Sequence, residues 1–374
     1  MKILKPFYYD HFQCIANKCI DSCCIGWKVD IDKKSYKKYK KVKGEFSKKI
    51  NESIVRNRSA NIDLQYGKMK FNNNRCKMLN EDNLCDMHIE AGPEMMCATC
   101  RKYPRHIEEF ENEREITLSM SCPAVAGLIL GKQEPVAMRT AEDEKEEEED
   151  GFDFFLYSAL QDTRAAMIRI LQNRKNPVHM RMALALVLAH DVQNRIHAGK
   201  TFDIENYLER FQTPQSQAKL QRKIMSESCS NQAENLLNLP DEWEVLDDGW
   251  KKDVKIWKNC AQLCSPGHIP ENEIEQMVVS YVYTYFCGAV YDKDALAKTK
   301  MAIVSTLIWE ELCRACEAQK GEHLEFEDRV RLAYRYSREL EHSDLNLNKM
   351  EEQMNKRKEA SFGSLMELLA HRES

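Results

Sequence analysis

The chain has 374 residues, of which 43% are hydrophobic and 31% are charged, as is typical of a globular protein with a core. Its longest apolar run, Met182 to Ala189, is far shorter than the roughly 20 residues that span a bilayer, so we expect no membrane protein. Residues 1–130 hold 23 Lys and Arg against 17 Asp and Glu, whereas the remainder holds 32 against 43. This asymmetry predicts two parts with different partners.

In the first part, short strands and helices are predicted around a lysine-rich segment. Val29 and Ile31 alternate with aspartates and predict a short strand, as do the alternating apolar residues of 62–71 and 116–120. The lysines of 33–43 predict a solvated amphipathic helix. Binding of nucleic acid is the disfavoured interpretation of these lysines, and docking of an acidic partner is a further alternative. A proline at 123 predicts a short helix ending at residue 130.

The acidic run at 141–150 predicts a linker, because its like charges repel one another and bury no apolar surface. Beyond it, apolar residues recur at steps of three and four, which predicts helices almost throughout 151–374. The expected fold is therefore mainly α. A small, cysteine-rich, mixed α/β metal-binding module at 1–140 precedes an all-α helical domain.

Nine of the 15 cysteines lie before residue 123, and this density needs a chemical explanation. They are Cys14, Cys19, Cys23, Cys24, Cys76, Cys85, Cys97, Cys100 and Cys122. The start of the chain has Pro6 and charges where the apolar region of a secretory signal would lie. We therefore expect a cytoplasmic protein, in which stable disulfides are rare, and metal binding becomes the favoured interpretation.

Three closely spaced pairs of cysteines match the way in which zinc or an iron–sulphur cluster is held. The pairs are Cys19 and Cys23, Cys76 and Cys85, and Cys97 and Cys100. Zinc and iron–sulphur both fit these spacings, with Cys122 or His88 as a reserve ligand. A thioredoxin-type redox pair at Cys97 and Cys100 is disfavoured, because the surrounding sequence predicts no βαβ unit.

The order and spacing of these blocks resemble the flagellin lysine-N-methylases, bacterial proteins with a CxxCxxCC metal-chelating module. The matching stretches are Phe12 to Trp27, Cys76 to His88, Cys97 to His106, Leu118 to Pro123 and Tyr336 to Asp344. The resemblance implies transfer of methyl groups from S-adenosylmethionine to lysine side chains of flagellin. It also implies a [4Fe–4S] cluster, with zinc as the alternative.

The 13 glycines include no GxG pair, which argues against the Rossmann-like fold of many methyltransferases, so we expect the cofactor at the metal module. A lysine with a pKa near 10.4 pays roughly 4–5 kcal/mol to become neutral at pH 7, so the site must desolvate the amine and accept its proton. The candidate catalytic residues are Tyr336, Glu341, His342 and His106. The candidate cofactor-binding residues are Trp27, Arg101, Tyr103 and Arg105.

Two other classes of function are compatible with the cysteines. One is a non-catalytic zinc- or iron-binding scaffold or adaptor protein. The other is a zinc-ribbon nucleic-acid binder that uses the lysines of 33–49, which the acidic remainder of the chain disfavours.

Overall fold

A computed structural model describes residues 1–59, 62–142, 152–225, 233–260 and 269–372. The helices are α1 (Lys33–Tyr39), α2 (Phe46–Ser53), α3 (Asp86–Ala91), α4 (Ala98–Lys102), α5 (Pro123–Leu130), α6 (Phe154–Leu171), α7 (Val178–His197), α8 (Ile204–Gln212), α9 (Pro214–Met225), α10 (Asp248–Cys260), α11 (Glu271–Tyr285), α12 (Ala289–Asp292), α13 (Ala295–Lys320), α14 (Phe326–Glu341), α15 (Asp344–Lys356) and α16 (Phe362–His371). The strands are β1 (Lys2–Pro6), β2 (Asp30–Ile31), β3 (Ile54–Arg56), β4 (Gly67–Met69), β5 (Phe71–Asn72), β6 (Arg75–Cys76), β7 (Arg105–Phe110), β8 (Glu113–Leu118) and β9 (Met138–Glu142). The prediction of a mainly α protein with strands in its first part is confirmed. None of the described helices has both the length and the apolar character that a membrane span requires.

The strands form three small sheets. The largest has the order β7-β8-β1-β9, in which β1 runs parallel to β8 and antiparallel to β9. A tight hairpin pairs Arg105 of β7 with Leu118 of β8, and Glu111 in its turn has a positive φ of 53°. The second sheet has the order β2-β4-β3, and β5 pairs with β6. The predicted lysine-rich helix and the helix from Pro123 are confirmed as α1 and α5.

The described residues form two apolar cores. The border between these cores does not coincide with the domain boundary predicted at residues 141–150. The smaller core includes Val29, Ile31, Tyr39, Ile50 and Met78. The larger core contains most of the helices, but it also contains apolar residues of the large sheet and α5, which precede residue 141. They include Phe110 and Leu118 of the sheet and Val125 of α5, and Tyr8, which follows β1, belongs to the same core. In the predicted linker, residues 141 and 142 belong to β9, and the remainder lies outside the described residues, so the domain division stays a prediction.

Helix α13 organises the larger core. Most of its 26 residues are buried, and the buried set includes the charged residues Lys298, Lys300, Glu310 and Glu311. It begins where the Asp294 carboxylate accepts the Ala297 N–H at 2.9 Å, and it ends at Gly321, whose φ of 73° suits a residue without a Cβ. Helix α14 packs against α13 and α5 and ends beside the cysteines.

A buried ion pair joins the large sheet to the helices. The Arg164 guanidinium of α6 donates two hydrogen bonds to the Glu115 carboxylate of β8 and a third, at 3.1 Å, to the Tyr283 carbonyl of α11. The two charged side chains are 4% and 6% exposed. The Tyr157 hydroxyl also donates to Glu115, at 3.1 Å. Each of these buried charges therefore depends on its partner.

We expect Arg164→Met to lower the free energy of unfolding by about 3–5 kcal/mol, because the Glu115 carboxylate is left buried without its cation. Chemical denaturation followed by circular dichroism measures this change. The control is Arg139→Met, which removes a half-exposed guanidinium 3.9 Å from Asp10 and should cost less than about 1 kcal/mol. Equal effects of the two substitutions would contradict the importance of the buried pair.

Candidate functional site

A cavity of about 480 Å³ lies among the cysteines. We call it the cysteine cavity. Seven of the nine predicted metal ligands line it, namely Cys14, Cys19, Cys23, Cys24, Cys85, Cys100 and Cys122. The other two, Cys76 and Cys97, are buried in the smaller core. Thiols that lie up to about 100 residues apart in the sequence are thus brought to one place.

Short elements hold these cysteines in position. Cys85, Cys97 and Cys122 each immediately precede a helix, α3, α4 and α5 respectively. The first backbone N–H groups of those helices point toward the thiols and favour their ionised form. The Cys76 N–H donates to the Cys24 carbonyl at 2.8 Å, which fastens the first cysteine loop to β6.

Hydrogen bonds between thiols alter their acidity. The Cys24 thiol donates to Cys23 and Cys85, which lowers the pKa of Cys23 to about 7 and that of Cys85 to about 6. Donation from Cys100 likewise lowers the pKa of Cys97, and the pKa of Cys100 is raised. These contacts identify two groups of adjacent thiols that can share a proton or a positive ion.

The donor set is suited to a sulfur-bound metal, although in the described ranges no three Cys, His, Asp or Glu side chains converge in metal-ligand geometry. The Tyr39 hydroxyl is buried without a hydrogen-bond partner in the described part of the chain. Burial raises the pKa of the Tyr39 hydroxyl, and the neighbouring Cys97 and Cys100 thiols raise it further. A thiolate or a cluster sulphide next to this hydroxyl would supply the acceptor that it lacks.

Helix α14 closes one side of the cysteine cavity with Arg338. Its Nε donates to the Ser121 carbonyl at 2.9 Å, and its Nη2 donates to the Asp21 carbonyl at 2.5 Å. The Tyr334 hydroxyl donates to the Asp21 carboxylate. Arg338 and Asp21 were not among the predicted site residues, although both lie within the matching blocks. Only the contact between those blocks distinguishes them from other surface charges.

Arg101 and Arg105 also line the cysteine cavity, as the sequence-based cofactor site requires. Both are exposed. The Arg101 guanidinium donates to the Met96 carbonyl at 3.2 Å, and the Arg105 guanidinium lies 5.6 Å from the centre of the Phe12 ring. With Arg338, three guanidinium groups therefore surround the cavity. Such groups can bind a carboxylate through paired hydrogen bonds.

Trp27, Tyr103 and His342 form an aromatic group where the two cores meet. The Trp27 and His342 rings stack with centroids 4.4 Å apart, and the Tyr103 ring lies 5.5 Å from Trp27 and 5.6 Å from His342. Tyr103 lines the cysteine cavity. The His342 Nε2 is buried and has no hydrogen-bond partner among the described residues. Burial lowers the pKa of His342 to about 3, so its ring is neutral at pH 7.

Glu341, the last residue of α14, is partly buried among hydroxyl groups. The Ser119 hydroxyl donates to its Oε2, and the Tyr285 hydroxyl donates to its Oε1 at 3.0 Å. Burial raises the pKa of Glu341. His106 lies on β7 with its ring centroid 5.8 Å from that of Tyr285, and its Nε2 is 3.1 Å from a Glu108 carboxylate oxygen. His106 does not line the cavity but lies near Glu341.

The structure does not bring Tyr336 to the cysteines. Its side chain is fully buried in the larger core. Its hydroxyl donates to the Ser305 hydroxyl of α13 at 3.0 Å, and its ring lies 5.9 Å from Trp243. The catalytic role of Tyr336 stays a prediction, and its position favours packing between helices.

We expect His342→Phe to reduce the loss of stability in acid. The pKa of a histidine in an unfolded chain is about 6.5, so above that pH the ring is neutral in both states and its titration has no effect. Below pH 6.5 the unfolded chain binds the proton first, and the folded state loses up to about 2 kcal/mol between pH 7 and pH 5. Denaturation at these two pH values measures the difference.

The control for this acid effect is His323→Phe, because the His323 side chain is 84% exposed. The His323→Phe variant should lose as much stability between pH 7 and pH 5 as the unmodified chain does. If His342→Phe also loses as much stability as the unmodified chain, the His342 ring is not shielded from protonation.

Comparisons with known proteins bear on the family of the chain. The model of the FliB lysine N-methylase C-terminal domain matches residues 164–369. The flagellar biosynthetic protein FliU of Salmonella muenchen is 31% identical over 139 residues, which are 36% of this chain and 81% of that protein.

The lysine-N-methylases of Salmonella choleraesuis and Salmonella typhimurium are each 30% identical over 138 residues, which are 36% of this chain and 34% of theirs. The match therefore spans about a third of the length of those two relatives. No solved structure matches the chain. Because the family model covers more than half of the chain, the protein belongs to the FliB lysine N-methylase family.

Proposed function

We propose that this protein transfers methyl groups from S-adenosylmethionine to lysine side chains of flagellin. Family membership supports lysine methylation, and the flagellar name of one relative supports a flagellar substrate. The observation that carries the proposal is the composition of the cysteine cavity. Arg338 belongs to the part of the chain that the family model matches, and it meets the cysteines of the first part there. The reaction takes place in the cytoplasm, where thiols stay reduced.

In this proposal, members of the set of nine cysteines hold a [4Fe–4S] cluster, which takes at most four thiolates, with zinc as the alternative. The all-sulfur donor set and the unpartnered Tyr39 hydroxyl support such a group. When bound, the cluster would supply a Lewis-acidic iron at a position without a thiolate ligand. Residues of this chain provide the other functions that methyl transfer requires.

Three guanidinium groups bind the cofactor carboxylate, namely those of Arg101, Arg105 and Arg338. Tyr103 also lines the cavity, and its ring is suited to lie against the positive sulfonium. Trp27 and His342 hold that ring in place by packing against it. The cofactor is thus oriented by charge at one end and by an aromatic face near its methyl group.

Lysine must lose a proton before it can attack the methyl group. Bringing the amine out of water and next to the Arg338 charge lowers the pKa of the lysine. Of the four predicted catalytic residues, Glu341 is the best proton acceptor, because burial raises its pKa. The pKa of about 3 makes His342 a weak base, so its role is to position the aromatic group.

Incubating the anaerobically purified chain with labelled S-adenosylmethionine and flagellin tests the proposal, with mass spectrometry of the lysines as the measurement. We expect label on flagellin lysines. Intact, metal-loaded protein that transfers no methyl group would remove the enzyme hypothesis and leave a metal-binding scaffold.

Arg338→Met should lower kcat/KM for S-adenosylmethionine by about 10–100-fold, because a charged hydrogen bond to the carboxylate is lost. The matched control is Arg335→Met on the same helix. Arg335 pairs with Asp253 at 2.7 Å and does not line the cysteine cavity. Equal losses in both variants would show that the effect comes from the helix and not from the cavity.

Cys100→Ser should remove most of the bound metal, because it deletes a thiol that lines the cavity. Elemental analysis, acid-labile sulphide and the brown absorbance of an anaerobic preparation measure the loss. The control is Cys313→Ser, because Cys313 is equally a thiol but lies fully buried in α13. Colourless protein with stoichiometric zinc would show that the bound group is zinc and not a cluster. A wild-type chain that is compact and free of metal would refute metal binding.

A further inference from the structure

A continuous row of hydroxyl groups connects the cysteine cavity to Glu341. The Tyr103 hydroxyl lies 3.2 Å from the Ser121 hydroxyl, which lies 2.5 Å from the Ser119 hydroxyl. Ser119 in turn donates to the Glu341 carboxylate. We propose that Ser121 and Ser119 carry the proton of the substrate lysine from Tyr103 to Glu341. This inference rests on the proposed function and adds the route of the proton.

Three separate elements build this row. Tyr103 follows α4, the two serines lie between β8 and α5, and Glu341 ends α14. A hydroxyl can accept one hydrogen bond while it donates another, so each member can receive a proton as it passes its own along. The side chain of Ser121 is fully buried, so bulk water does not reach it and exchange protons with it during the transfer.

The row is longer than the solvation of Glu341 requires. Ser119 and Tyr285 already donate one hydrogen bond to each carboxylate oxygen. The Ser121 backbone N–H adds a further hydrogen bond. The Ser121 and Tyr103 hydroxyls add none to the carboxylate, and they extend the row to a residue that lines the cavity. If Ser119 only stabilised the Glu341 carboxylate, the further hydroxyl contacts from Ser119 to Ser121 and from Ser121 to Tyr103 would have no function.

The surroundings of Glu341 leave it able to accept a proton. Among the described residues, the hydrogen bonds to its carboxylate come from hydroxyl groups and a backbone N–H, with no Lys or Arg among the donors. The titratable groups that face it are Tyr285 and Tyr281 of α11, Tyr336 of α14 and His106 of β7. Glu115 differs in this respect, because Arg164 neutralises its charge.

The transfer balances in protons and charge. The lysine ammonium gives a proton to the Tyr103 hydroxyl, whose own proton passes to Ser121, then to Ser119 and finally to a Glu341 oxygen. The products are a neutral amine and a neutral carboxylic acid. The amine then forms a bond to the methyl carbon as the bond from sulfur to that carbon breaks, leaving a thioether and a methylated ammonium. After release, the proton returns to water through the same hydroxyls.

Single-turnover methyl transfer by the full, metal-loaded chain between pH 6.5 and 9.5 tests the route. We expect Ser121→Ala to be about 10–100-fold slower near pH 7 and to recover as the pH approaches that of lysine ionisation. Ser121→Thr keeps a hydroxyl and should keep the rate. Tyr103→Phe keeps the ring and should reproduce the deficit and its recovery at high pH.

Ser53→Ala is the matched control, because Ser53 is a buried serine whose hydroxyl has no partner among the described residues. It should match the wild type at every pH. A Ser121→Ala deficit that is absent, or that is the same at every pH, would overturn the relay while leaving the methyltransferase intact. No transfer by the wild type would overturn the proposed function and the relay together.

Discussion

The contact between the first cysteine loop and the end of α14 is the constraint on which the site depends. The loop that carries Cys19, Cys23 and Cys24 has little regular structure, and its polar groups need partners from elsewhere in the chain. Arg338 and Tyr334 supply them by binding the Asp21 backbone and carboxylate. Because Arg338 also lines the cysteine cavity, this contact couples the cysteines of the first part to the family domain.

The protein buries carboxylates in two ways that have different consequences. Glu115 is paired with Arg164 and holds the sheet on the helices, so its role is structural. Glu341 is surrounded by hydroxyls, and burial raises its pKa. A carboxylate of the second kind can change its protonation during a reaction without breaking an ion pair. This difference in surroundings distinguishes a group that can take part in proton transfer from one that stabilises the fold.

The sequence predicted the helical class, the short strands of the first part and a set of cysteines that the structure brings together around one cavity. Spacing within a block is a local property, so the blocks could be found without knowing the fold. Arg338 and Asp21 were missed, because a charged residue within a block resembles any solvated charge until its partner is known. Tyr336 was selected from the same block as Glu341, but it lies on the helix face that packs into the larger core.

The sequence by itself determined the kinds of chemistry that are available: clustered thiols, nearby arginines and aromatics, and a helical second part. These depend on residue type and local period, which the chain carries in linear order. Tertiary structure decided which of these residues meet. The hydroxyl row from Tyr103 to Glu341 joins residues more than 200 positions apart, and the sheet strands share a core with helices beyond residue 151. Such long-range contacts follow from the packing of α14 against α5 and α13, and no local pattern encodes that packing.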